Sequence, residues 1–76
     1  MLTVGTKIKK IKDEYFYDID KHDYLYNFKN EPGYISEIDY TDNDEILYRI
    51  EFTEISDYLY LPEYELEIDT KIFISV

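Results

Sequence analysis

The chain has 76 residues, with 18 acidic side chains against 8 basic ones, a net charge of −10 and no cysteine. A chain this short builds one domain around one small core, burying about 60% of its unfolded surface. Disulfides and thiolate metal sites are excluded, and a one-sign field of this size repels nucleic acid and anionic membrane while attracting basic surfaces.

Ten tyrosines and four phenylalanines stand beside two glycines and no tryptophan or alanine. Rings and β-branched side chains suit a pleated surface, so extended backbone is favoured over helix. After a turn at Gly5, residues 6–11 form the first strand, with Ile8 and Ile11 as core candidates. Two apolar residues three apart do not share a face of a flat strand, so a bulge intervenes or one of them caps the end of the fold. Residues 13–30 are a long insertion carrying Tyr15, Phe16, Tyr17, Ile19, Tyr24, Leu25, Tyr26 and Phe28 among charged neighbours. Without a helical stripe, it reads as an irregular or hairpin-like loop.

Glu31-Pro32-Gly33 signals a turn into a second strand at residues 34–40, where Ile35 and Ile38 again sit three apart and call for a second bulge. Residues 41–45, Thr-Asp-Asn-Asp-Glu, form the hairpin loop, because short Asp and Asn side chains tolerate left-handed backbone. The clearest strand is 46–52: Ile46, Tyr48, Ile50 and Phe52 alternate with Leu47, Arg49 and Glu51. Residues 53–57 link it to a strand at 58–61, which stops at Pro62 because proline cannot donate to a ladder. Beyond it, Tyr64, Leu66 and Ile68 alternate with Glu63, Glu65 and Glu67. An extended backbone there sets three carboxylates in an acidic ladder at about 7 Å intervals. A last strand, 71–76, places Ile72, Ile74 and Val76 on one face and Phe73 on the other; an exposed Phe73 would mark a pairing edge or a dimer surface.

Four runs together resemble small SH3-like barrels, including KOW-like and related five-stranded modules. They are Val4-Gly5-Thr6-Lys7-Ile8, Pro32-Gly33-Tyr34-Ile35-Ser36-Glu37-Ile38, Tyr48-Arg49-Ile50-Glu51-Phe52 and Leu61-Pro62-Glu63-Tyr64-Glu65-Leu66-Glu67. The resemblance spans nearly the whole chain and implies an all-β, five- to six-stranded SH3-like barrel over residues 1–76, with residues 13–30 as the long loop after the first strand. It rests on apolar positions and turns, not on a catalytic signature, and this fold hosts many unrelated roles. Members that bind RNA are neutral to basic, so nucleic-acid binding is not carried over to a chain of charge −10. Eukaryotic-type SH3 domains bind peptides on tyrosines of that loop, which implies Tyr15, Tyr17, Tyr24 and Tyr26 as an alternative peptide-binding set.

Catalytic parts are scarce. One histidine, no cysteine and three serines (Ser36, Ser56 and Ser75) leave little for a nucleophile and its base. His22, between Lys21 and Asp23, reads as an ordinary exposed histidine. Asp18-x-Asp20-x-x-Asp23 and Asp39-x-x-Asp42-x-Asp44-Glu45 lack the glycine and distal glutamate of a calcium loop. The expectation is a protein that is not an enzyme and holds no cofactor or metal.

Charge distribution carries the functional reading. Thirteen of the acids fall in residues 31–76, opposed only by Arg49 and Lys71, while residues 1–30 are nearly balanced. The bland reading is a solvated exterior that keeps a small protein soluble. The sharper one is mimicry, in which strand carboxylates stand in for phosphates in the basic cleft of a nucleic-acid-binding protein. The partner-binding set is then Glu37, Asp39, Glu51, Glu63, Glu65 and Glu67, anchored by Tyr58 and Tyr60. The composition is similar to that of small acidic inhibitors encoded by phages. Without a signal-peptide core, a bilayer-spanning run or a cysteine, the expected location is the cytoplasm of a bacterium or a phage-infected host.

Overall fold

The alternation of Ile46, Tyr48, Ile50 and Phe52 sets the centre of the fold. In the computed structural model, which describes residues 1–69, this segment is β3 (Ile46–Phe52), flanked by β2 (Gly33–Tyr40) and β4 (Asp57–Leu61). β1 (Lys7–Ile11) joins the far side of β2, and β5 (Leu66–Ile68) joins β1. All pairs are antiparallel and the order across the sheet is β4-β3-β2-β1-β5. The fold is all-β as expected, with five strands and no α-helix among the described residues. No strand pairing among them closes the sheet, and the expected strand at 71–76 lies outside the described residues.

Chain connectivity nevertheless curls the sheet. β4 and β5 are its opposite edges, four strand spacings apart, or about 19 Å across a flat sheet. The five peptide steps from Leu61 to Leu66 reach about 18 Å at full extension, and part of this path is wound into a 3₁₀ turn at Glu63–Glu65. The edges must therefore approach each other, and the turn packs against β3. This turn also corrects the expected acidic ladder. Pro62 enters with φ −74° and its carbonyl accepts the Glu65 N–H at 3.1 Å, so the backbone turns where extended alternation was expected. As a result Tyr64 is exposed although Leu66, two residues on, is buried.

Both odd spacings are resolved by bulges. Opposite β5, Ile8 faces Ile68 and Lys10 faces Glu67, so Lys9 is the extra residue and Ile8 and Ile11 both reach the core. Opposite β3, Ile35 faces Ile50 and Glu37 faces Arg49, which leaves Ser36 as the extra residue. Ile35 is then buried, and Ile38, opposite Tyr48, packs against the core. The hydroxyl oxygen of buried Tyr48 accepts the Leu2 N–H at 3.0 Å, so the ring enters the core without stranding a polar atom.

The insertion is neither irregular throughout nor a hairpin. It holds two 3₁₀ turns, Asp13–Phe16 and Tyr24–Phe28, the second capped by Asp23, whose carboxylate accepts the Leu25 N–H at 2.8 Å. Side-chain chemistry sorts its rings. Phe16 and Phe28, which carry no hydroxyl, are buried, and Phe28 meets Phe52 at 4.8 Å between centroids. Tyr15 and Tyr26 lie half-buried against the core, whereas Tyr17 and Tyr24 are 74% and 60% exposed. Lys10 ties the two ends of the insertion together, donating to Asp13 Oδ1 at 2.8 Å and to Asn30 Oδ1 at 3.3 Å.

Two predictions follow from this packing. Phe28→Ala should cost about 3–5 kcal/mol in urea unfolding, while Tyr17→Ala in the same insertion should change stability by about 0.5 kcal/mol or less. The hydrogen bond and charge of Lys10 hold Asp13 below its ordinary 3.8, and the same hydrogen bond raises Lys10 above 10.5. A lowered carboxylate stabilises above its unfolded value and loses that contribution as pH falls through the folded one. A raised amine stabilises below its unfolded value and loses the contribution as pH rises through the folded one. Wild type and Lys10→Met should therefore differ in melting temperature at neutral pH and converge at both the acid and the alkaline limits.

Candidate protein-binding surface

Strand parity decides which side chains form the outer face. With Tyr48, Ile50 and Phe52 turned to the core, Leu47, Arg49 and Glu51 of β3 face the other way. The register sets three rows across β2, β3 and β4. They are Tyr34–Glu51–Tyr58, then Glu37–Arg49–Tyr60, then Asp39 opposite Leu47. Five of the eight residues expected to bind a partner are thereby brought together: Glu37, Asp39, Glu51, Tyr58 and Tyr60. Tyr34, Leu47 and Arg49 complete the three rows.

Arg49 occupies its centre. Nη1 lies 3.5 Å from Glu37 Oε2, Nη2 lies 3.5 Å from Glu51 Oε1, and the guanidinium carbon sits 4.2 Å from the centroid of the Tyr58 ring. Tyr58 in turn meets Tyr60 edge-on at 5.8 Å. The Tyr34 hydroxyl donates to Glu51 Oε2 at 3.0 Å. Ion pairs this long and this exposed contribute about 0–1 kcal/mol each, so their main effect is to fix geometry and to offset part of the local negative charge. Nε of Arg49 is buried with no hydrogen-bond partner among the described residues, and the side chain's contacts there are the stack on Tyr58 and the two terminal nitrogens.

The remaining three expected carboxylates lie elsewhere. Glu63 and Glu65 belong to the 3₁₀ turn, and Glu67 belongs to β5, where Lys9 pairs with it at 3.5 Å. The six carboxylates thus form no single ladder: three share the outer face with Arg49, two ride the turn and one is paired across β1. The loop tyrosines are divided as well, since burial against the core and the negative charges of Glu65 and Asp23 raise the Tyr15 phenol, and Lys29 lies 5.4 Å over the Tyr26 ring. Beside the turn, a cleft of about 500 Å³ is lined by Lys12, Ile46, Pro62, Tyr64, Leu66 and Ile68, among others.

Sequence reasoning missed Tyr34, Arg49 and Tyr64. A signal existed for the first two, since an antiparallel register beginning at the hairpin places Arg49 opposite Glu37, and one extra residue between Ile35 and Ile38 then brings Tyr34 opposite Glu51. His22 is exposed, and its N–H donates to Asp20 Oδ1 at 2.8 Å. Among the described residues no three His, Asp or Glu side chains gather to hold a metal ion, and no helix is long and apolar enough to cross a membrane. No known protein family, curated protein or solved structure matches this chain.

The Tyr34 phenol provides a direct readout of this geometry. Its hydrogen bond to Glu51 and the charge of that carboxylate raise it above 10.0, while Arg49 acts in the opposite direction. In Glu51→Gln the Tyr34 resonance should titrate at lower pH than in wild type, and in Arg49→Met at higher pH. Carbon NMR of ring-labelled tyrosine measures both.

Proposed function

We propose that this chain is an acidic protein-binding module with an SH3-like barrel architecture. It docks the outer face of β2, β3 and β4 on the basic surface of a partner protein and blocks nucleic-acid binding there. One observation carries the reading. Tyr34, Tyr58 and Tyr60, 39%, 46% and 41% exposed, stand among Glu37, Asp39 and Glu51 on one hydrogen-bonded three-stranded face. Tyrosine gives broad contact area at small entropic cost, and carboxylates meet the Arg and Lys groups that otherwise hold phosphate. The strand order and the short β4–β5 link fit an SH3-like barrel. At −10 the chain repels nucleic acid itself, and the long-range field speeds encounter with a basic protein. The role fits a phage-type inhibitor of host defence or host nucleic-acid enzymes, acting in the bacterial cytoplasm.

A second reading, recognition of a peptide, is favoured by the cleft of about 500 Å³ beside Pro62 and Tyr64. It needs no basic partner and little help from long-range charge.

Capture of partners from host lysate separates the two. Raising salt from about 50 to about 500 mM shrinks the Debye length about threefold, so docking of the outer face should weaken steeply and the captured protein should be released by added duplex DNA. The double substitution Tyr58→Ala and Tyr60→Ala should reduce capture about tenfold or more, as loss of central aromatic anchors does. Tyr17→Ala with Tyr24→Ala should leave capture unchanged. Binding that is flat in salt, insensitive to DNA and lost in Tyr64→Ala would replace this reading with peptide recognition.

A further inference from the structure

Beside the row Tyr34–Glu51–Tyr58, toward the turn that joins β3 to β4, lies a second cleft, of about 400 Å³. Tyr34 and Tyr58 come from strands on either side of β3, and Glu51, Thr53, Ser56 and Asp57 line the space with them. Among the described residues the cleft has two carboxylates and no cationic lining residue. Tyr34 occupies one oxygen of Glu51 at 3.0 Å, with Arg49 at 3.5 Å from the other. Asp57 uses one of its own oxygens to accept the Tyr58 N–H at 2.8 Å. Two aromatic residues, two carboxylates and two hydroxyl side chains lining one space match the needs of a cationic side chain, which gains from ring quadrupoles and from charged acceptors together.

The same chemistry is already in use at the edge of the cleft, on two of its own residues, Tyr58 and Glu51. Arg49 places its guanidinium over Tyr58 at 4.2 Å and between Glu37 and Glu51. We infer that the cleft bounded by Tyr34, Glu51, Asp57 and Tyr58 is the seat of one lysine or arginine side chain of a partner protein. This deepens the docking reading and rests on it for the source of that side chain. It also gives the face a fixed register, because a single inserted cation locates the partner along β3.

Tetra-arginine and tetra-lysine peptides, with tetra-serine as neutral control, test the seat directly by amide NMR on the wild-type chain. Either basic peptide should shift the resonances of Glu51, Thr53, Asp57 and Tyr58 most, and tetra-serine none. Glu51→Gln and Asp57→Asn should each weaken the basic peptide about three- to fivefold, the effect of losing one exposed charge contact, while Glu63→Gln should not. Shifts spread equally over residues 42–45 and 63–65, or an equal loss in Glu63→Gln, would mean that net charge alone attracts the peptide and would overturn the assignment. The two readings fail separately. Peptide seated in the cleft without salt-sensitive capture of any basic protein upholds the seat and removes the docking proposal. Salt-sensitive capture that Asp57→Asn leaves untouched upholds docking and removes the seat.

Discussion

Four residues, Pro62 to Glu65, carry the chain from one edge of the sheet to the other, and that short reach constrains everything else. A flat five-stranded sheet places its edges about as far apart as this link extends at most, so with a turn in the path the sheet must bend around its apolar face. Bending brings Leu61 at the end of β4 and Leu66 at the start of β5 into the same core as Ile50 and Phe52. The insertion adds Phe16 and Phe28 to that core. A chain of this size has little apolar surface to spare, and these two rings make a long surface excursion part of the core.

The outer face depends on the bulges as much as the inner one does. Side chains alternate with a period of two, so without the extra residue at Ser36 either Ile38 would face outward and Glu37 inward, or Ile35 would face outward and Tyr34 inward. With it, Glu37 faces the Arg49 row and Tyr34 faces Glu51. Gly33 is equally constrained. A Cβ there would lie 2.5 Å from the Glu51 carbonyl oxygen and 3.1 Å from Ile50 Cγ2, so the strands approach only because no side chain intervenes. The rows that form the candidate surface are therefore set by packing on the opposite side of the sheet.

This explains what was legible beforehand. β3 was legible because its alternation is unbroken, and the 41–45 loop because Asp44 takes positive φ, 59°, a conformation that short Asp side chains tolerate. The bulges were legible as contradictions, since isoleucines three apart have no flat-strand solution. The 3₁₀ turns were not, because a three-residue turn leaves no periodic trace and Glu63-Tyr64-Glu65 reads equally well as alternation. Pro62 was read as the end of one strand, whereas its fixed φ also opens the turn that follows. Five residues of the expected binding set were found together because they share two adjacent strands and their neighbour. Glu63, Glu65 and Glu67 were misplaced with the ladder, and Arg49 was counted as a charge when its position makes it the centre of the face.

Net charge and local charge then act at different ranges. At long range a basic surface meets −10, and the field sets how often it arrives. At contact it meets Glu37 and Glu51 already engaged with Arg49, and Tyr34 already bonded to Glu51. Bare carboxylates would accept any cation at any register. On the docking proposal, carboxylates held by internal donors would accept one only where a lone pair and an aromatic face are both open, and that requirement would turn general attraction into a preference for a particular arrangement of basic groups. The same arrangement limits the cost of self-repulsion, because Glu37 and Glu51 both pair with the one arginine of the chain.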